Sequence, residues 1–184
     1  MTKIILVRHG ETDWCRQKRV RGSVDIPLND GGKKEAQMIA DKLSKLKINA
    51  IYSGKSSCSA STALEIARER KVKVKALDEF GEVGLGLWQG LLVTEVEKRF
   101  KKHYSAWKTT PIATEPPGGE SAKDAYDRTI SALHKLVDRH KDGNICVVSG
   151  SITLSIIKSH IKKINLEKMW KGIPDKTWWE VLEV

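Results

Sequence analysis

The chain has 184 residues, of which 40% are hydrophobic, 30% charged and 6% aromatic. This composition fits one globular domain and excludes collagen, a coiled-coil rod and wholesale disorder. Its net charge of +10, from 33 Lys and Arg against 23 Asp and Glu, admits nucleic acid, acidic membranes and phosphorylated small molecules as partners. The lysines, however, sit in runs such as Lys33-Lys34 and Lys98-Arg99-Phe100-Lys101-Lys102, the pattern of solvated helix faces. No stretch interleaves them with aromatics, so no nucleic-acid partner is expected. No apolar run approaches the roughly 18 residues of a membrane span, and the first residues lack the apolar core of a signal peptide. A cytoplasmic protein with no membrane partner is expected. Cys15, Cys58 and Cys146 form neither a disulfide framework nor a zinc pattern, so reduced thiols are expected.

Ile4-Ile5-Leu6-Val7 is a continuous β-branched run, the pattern of a strand covered on both faces. Arg8-His9-Gly10 follows it, then a long loop with Gly22 and Pro27. Ala36, Ile39, Ala40, Leu43 and Leu46 recur at helical spacing behind a possible Asn29 or Asp30 cap. Ala50-Ile51-Tyr52 predicts a short strand ending at Ser53. A helix over Thr62–Arg70 follows, then an edge strand over Val72–Leu77. Val93, Val96, Phe100, Tyr104 and Trp107 share one face of a predicted helix. After a loop marked by Pro111 and Pro116-Pro117-Gly118-Gly119, Ser121 can cap a helix to about Lys141, with Asp124 in a box-like arrangement. Ile145-Cys146-Val147-Val148 predicts a second buried strand, followed by Ser149-Gly150-Ser151 and a helix from Ile152. Trp178–Val184 ends the chain as a strand, placing Trp178 and Trp179 on opposite faces.

This alternation predicts an α/β three-layer sandwich with a mainly parallel central sheet. Residues 1–184 read as a single domain, with a helical cap insertion around 90–120. Ligands of such sheets bind beyond the carboxyl ends of the strands. Arg8-His9-Gly10, Ser53 through Cys58, and Ser149-Gly150-Ser151 are therefore the default site.

Leu6-Val7-Arg8-His9-Gly10-Glu11-Thr12 resembles the signature of the histidine phosphatase superfamily, the phosphoglycerate mutase-like proteins. Further segments match in order. Asp25-Ile26-Pro27-Leu28 through Gly32 and Ala36 resembles the family's Asp-x-Pro-Leu stretch. Glu82-Val83-Gly84-Leu85-Gly86-Leu87-Trp88-Gln89-Gly90 resembles its Glu-Ile-x-Phe-Gly-x-Trp-Glu-Gly segment. Pro117-Gly118-Gly119-Glu120-Ser121 is similar to the α-ribazole phosphatase-like branch. The resemblance covers nearly the whole chain and implies the phosphoglycerate mutase-like fold. It also implies roles. His9 would attack phosphorus and become transiently phosphorylated, Arg8 would hold phosphate oxygens, and Glu82 would protonate the leaving alcohol. No metal and no organic cofactor are implied.

Two phosphate ligands of the family pattern are absent. Cys58 stands where the pattern has an arginine, and Gly150 where it has a second histidine, with Ser151 in place of the following glycine. Cys15 holds a place usually taken by asparagine. A charge-assisted hydrogen bond is worth about 1.5–3 kcal/mol, so two lost ligands would cost about 3–6 kcal/mol, roughly 10²–10⁴ in rate. Lys55 could compensate only in part, being a point charge rather than a planar fork. Weak or absent phosphomonoesterase activity is therefore expected.

The small residues Gly54, Ser56, Ser57, Cys58, Gly150 and Ser151 leave room for another ligand. Drift in a retired enzyme and deliberate rebuilding of the pocket both fit this pattern. A repurposed ester hydrolase would use Ser151 as nucleophile at a strand-to-helix turn, with His9 as base and Glu82 to orient it. Cys58 is a second candidate nucleophile. Arg8, Gly150, Ser57 and Cys15 would contact the substrate, a small ester or phosphate ester. Ser151 could equally be only a helix cap, Cys58 an inert small residue, and Lys176 a solvated charge. The competing readings are a phosphatase acting through Arg8, His9 and Glu82, and a non-catalytic binding scaffold. Oligomeric state is not legible.

Overall fold

The computed structural model describes residues 1–170 and 177–184; Lys176 lies outside the described residues. The strands are β1 (Lys3–Arg8), β2 (Ala50–Ser53), β3 (Val74–Ala76), β4 (Asn144–Ser149) and β5 (Trp179–Glu183). The helices are α1 (Asp13–Arg16), α2 (Asp30–Leu43), α3 (Ser57–Ala67), α4 (Val93–Arg99), α5 (Lys101–Thr109), α6 (Ala122–Arg139) and α7 (Ser151–Ile161). The strands form one sheet in the order β3-β2-β4-β1-β5. All pairings are parallel except β1 with β5, so the expected mainly parallel sandwich is found.

Side-chain alternation along the strands builds two cores. Ile4, Leu6, Tyr52, Ile145 and Val147 join Leu133 and Leu136 of α6 and Leu154 and Ile157 of α7 on one face. Ile5, Val7, Ile51, Cys146 and Val148 join Ile39 and Leu43 of α2 and Ala63 and Ile66 of α3 on the other. Covered on both faces, β1 and β4 need continuous apolar sequence, which is why their runs stood out. Trp178 packs on the first core and Trp179 on the second, as strand alternation requires. Cys146 is fully buried, and desolvation pushes its thiol up to about 12. All three cysteines are free thiols, and among the described residues no helix is long and apolar enough to cross a membrane.

Three elements differ from expectation. Helix α3 begins at Ser57 rather than near Thr62, because the Asp25 carboxylate accepts bonds from the Ser57 N–H and hydroxyl, both at 2.7 Å. That cap comes from a distant segment and is invisible to local periodicity; the same two bonds hold the Asp25 pKa below its ordinary value. The single helix expected over 93–107 is two, because Phe100 leaves helical geometry at φ −121°, ψ 32°. Its ring packs against Trp88, with centroids 6.3 Å apart. Finally, α1 interrupts the expected long loop, with the Thr12 hydroxyl accepting from Cys15 N.

Register fixes the site. Arg8 is opposite Ser149, and Ser53 is opposite Val148, so the carboxyl ends of β1, β4 and β2 lie side by side. The loop after β1 is pressed onto the start of α2, where a Cβ on Gly10 would lie 2.2 Å from the Gly32 carbonyl and one on Gly32 2.0 Å from that of Glu11. Only glycine fits at either position, which gives the Arg-His-Gly motif its third residue.

Candidate active site

His9 stands at the carboxyl end of β1 with only 3% of its surface exposed. Its backbone is held by Ser149, whose carbonyl accepts from His9 N–H at 3.2 Å, and by the Thr177 hydroxyl, which donates to the His9 carbonyl at 3.1 Å. Nδ1 lies 2.8 Å from the Gly10 carbonyl, which can only accept, so Nδ1 carries the proton. Nε2 lies 3.1 Å from Nη2 of Arg21, which can only donate, so Nε2 presents its lone pair. Burial, then the Arg21 charge, lower the His9 pKa to about 3, leaving the imidazole neutral and nucleophilic at ordinary pH.

Arg8, His9, Cys15, Arg21, Glu82 and Ser151 line one cavity of about 710 Å³ at this sheet edge. Its outer wall includes Val20, Leu85, Tyr104, Trp107 and Trp170, so α5 faces the site. Lys18, Arg19 and Lys108 also border it, and Glu82 is the one acidic residue among the described lining residues.

Glu82 sits at the N-terminus of α7. Ile152 N and Thr153 N donate to its two oxygens, both at 3.0 Å, and Val83 N donates at 2.9 Å. Gly150 gives α7 no side-chain cap, and the Glu82 carboxylate takes that role, satisfying free amides and facing the positive end of the helix. It does so in the space a side chain at 150 would need, since a Cβ there would lie 2.1 Å from Glu82 Oε2. Gly150→Ala should therefore push the carboxylate off the α7 amides. Loss of a cap costs about 1–2 kcal/mol, about 2–8 °C in Tm for a chain of this size. Thermal unfolding by circular dichroism checks this, and an unchanged Tm would show that those bonds contribute nothing.

The loop carrying Glu82 is clamped from behind. Arg128 donates to Glu120 from Nε at 2.5 Å and from Nη2 at 2.9 Å, and its Nη1 donates to the Glu79 and Gly81 carbonyls. Glu120 N in turn donates to the Gly84 carbonyl at 2.8 Å. The Pro-Gly-Gly-Glu-Ser segment is thus a support for Glu82, and Ser121 caps α6.

Several sequence candidates are not brought to this cavity. Cys58 is fully buried beside Leu28 and Ala36, so no substrate reaches its sulfur. Ser57 spends its hydroxyl and amide on Asp25, outside the lining. Lys55 is exposed and paired with Asp78 at 2.7 Å, so it supplies no charge here. Cys15 does line the cavity, with Sγ accepting from the Thr12 hydroxyl at 3.2 Å. Ser151 also lines it, as the first residue of α7, but the expected pairing with His9 is not present. The ring nitrogens of His9 lie against the Gly10 carbonyl and Arg21 Nη2, and among the described residues no hydrogen bond joins Ser151 to either. Glu82 is bonded to α7 rather than to the imidazole, so no Ser–His–acid relay is assembled.

Sequence reasoning missed Arg21, which is only 9% exposed. The available signal was its position, directly before Gly22 and between the Arg-His-Gly and Asp-Ile-Pro-Leu segments. It was obscured by the neighbouring Arg16, Lys18 and Arg19, a run that reads as solvated surface.

The sequence profile of the histidine phosphatase superfamily (branch 1) matches residues 4–184. Phosphoserine phosphatase 1 of Hydrogenobacter thermophilus is 32% identical over 184 residues, covering 100% of this chain and 87% of that protein. Phosphoglycerate mutase-like protein 4 of Arabidopsis thaliana is 37% identical over 150 residues, 80% of this chain and 65% of its own length. The solved structure of Bacillus stearothermophilus YhfR superposes with a TM-score of 0.91 at 25% identity, covering 100% of this chain and 92% of that one. The α-ribazole phosphatase of Shigella flexneri shares the fold, with a TM-score of 0.87 at 22% identity over 99% of this chain and 90% of its own. These relatives lend no support to an engineered, designed or non-catalytic pocket. With its sheet order, its Arg-His-Gly loop and a profile match over nearly every residue, the chain belongs to the histidine phosphatase superfamily.

Proposed function

We propose that this protein hydrolyses a small phosphate monoester through a phosphorylated His9. One observation carries the proposal: a buried, neutral imidazole whose Nδ1 proton is fixed on the Gly10 carbonyl and whose Nε2 faces a cavity flanked by Arg8 and Arg21. That is the arrangement of a nucleophile awaiting an anion, and several relatives carry phosphatase names.

In the first step Nε2 bonds to phosphorus and the phosphorus–oxygen bond to the alcohol breaks. Glu82, entering this step as the acid, gives its proton to the departing oxygen. In the second step water attacks phosphorus, the phosphorus–nitrogen bond breaks, and Glu82 takes a proton from that water as inorganic phosphate leaves. The guanidinium groups neutralise charge on the oxygens throughout. The apolar wall of Val20, Leu85, Tyr104 and Trp170 would face the alcohol portion of the ester.

The test is trapping. The protein is mixed with p-nitrophenyl phosphate, quenched in alkali, where phosphohistidine survives, and its peptides are weighed. One phosphoryl group on His9 is expected. Turnover with the group on Ser151, or with none on His9, would reject this function.

A further inference from the structure

We infer that Arg21 is a phosphate-binding cation of this site, supplied by the loop after α1 in place of the arginine the family pattern puts on α3. The inference rests on the phosphoryl-transfer reading of His9 and deepens it by assigning one of the two flanking guanidinium groups. The side chain lies in the site, not on the surface: it is 9% exposed and lines the cavity. Its Nη1 donates to the Val24 carbonyl at 3.4 Å, while Nη2 reaches 3.1 Å from the His9 nitrogen that would attack. A guanidinium has five donors, and these two contacts leave the edge of the fork toward the cavity able to meet further acceptors. A phosphorus atom in attacking position would sit about 3–3.5 Å from Nε2, which puts its oxygens within reach of that fork.

The backbone around Arg21 is built to hold it there. Val20 N–H donates to the Leu91 carbonyl at 2.8 Å, and Gly90 N–H donates to the Val20 carbonyl at 2.8 Å, so the segment is stitched to residues 90–91 by a pair of backbone bonds. The next residue, Gly22, has φ +58° and leaves no room for a Cβ, which would lie 2.2 Å from Gln89 Oε1. That Gln89 oxygen accepts from Ser23 N at 2.9 Å and Leu85 N at 3.0 Å, tying the turn to the stretch that follows Glu82. Position 58 on α3, by contrast, is sealed under Leu28 and Ala36. The positive charge missing from α3 is therefore present in the pocket, carried by another element. In the free protein Arg21 also covers the lone pair of His9, so an incoming phosphate must draw the guanidinium from nitrogen to its own oxygens.

Two measurements on Arg21→Gln test this: kcat/KM for p-nitrophenyl phosphate, and the affinity for orthovanadate by calorimetry, which needs no turnover. Replacing a guanidinium with a neutral amide should lower kcat/KM by about 10²-fold and weaken vanadate binding by at least about tenfold. Arg21→Lys should fall between Arg21→Gln and the unaltered protein in both. Vanadate affinity and kcat/KM within about twofold of the unaltered protein in folded Arg21→Gln would overturn the inference and leave His9 as nucleophile. Unaltered protein that binds vanadate through Arg21 but never phosphorylates His9 would overturn the function instead.

Discussion

In His9→Ala, hydrolysis of p-nitrophenyl phosphate should fall by at least about 10³-fold, while Cys58→Ser should stay within about twofold of the unaltered protein. Ser151→Ala should retain most of the activity. On the proposed mechanism His9 forms the covalent bond, and without it water would have to attack directly, a step covalent catalysis exists to avoid. Cys58 is sealed in the core and touches nothing that reacts. Ser151 faces the cavity, but the nitrogens of its expected base bond the Gly10 carbonyl and Arg21 rather than its hydroxyl. The pH profile adds an independent check. With its pKa lowered to about 3, His9 keeps its lone pair as pH falls from about 8 to about 5. An acid limb in that range would therefore come from another ionisation, such as that of the substrate phosphate. Steady-state rates across pH for the three variants decide the matter, and loss of activity in Ser151→Ala comparable to that in His9→Ala would restore the hydroxyl as nucleophile.

Glu82→Gln should separate substrates by their leaving groups. With an alkyl phosphate, whose alkoxide departs poorly without a proton, the rate should fall by about 10²–10⁴-fold, the usual value of a general acid. With p-nitrophenyl phosphate, whose phenolate leaves unaided, kcat/KM, which reports the phosphorylation step alone, should fall by under about tenfold. Glutamine is the apt replacement because its carbonyl oxygen can still accept from Ile152 N or Thr153 N, which now bond the carboxylate at 3.0 Å. Tm should therefore stay close to that of the unaltered protein, in contrast to Gly150→Ala. Equal losses in kcat/KM on both substrates would mean that Glu82 holds the site together without donating a proton to the leaving group.

Residues of several kinds differ in how far the sequence betrays them. Strands β1 and β4 were legible because burial on both faces demands unbroken apolar runs. The loops after them followed from sheet geometry, which placed Arg8, His9 and Ser151 in one region before any contact was known. The start of α3 was not legible, since its cap, Asp25, comes from a distant segment. Nor was the break at Phe100, where the apolar spacing continues through the kink and only packing on Trp88 marks it. Within the site, the family resemblance pointed to missing ligands at 58 and 150. It could not see that Glu82 fills the space left by Gly150 or that the Arg21 guanidinium lines the cavity beside His9. Both are events in three dimensions, between residues about 70 and 12 positions apart in the chain. The pocket therefore looked less basic from its motifs than it is.

The clamp of Arg128 on Glu120 and on the Glu79 and Gly81 carbonyls has a bearing on how such sites can be exchanged. Residues 79–84, 117–121 and Arg128 behave as one joint: the first segment presents the acid, the second braces it, and the third locks both to α6. A chimaera that transplants the Glu82 segment alone into another scaffold would carry the acid without its anchorage. One that moves all three together would carry a working part, so this trio is the natural unit of recombination for the acid side of the site.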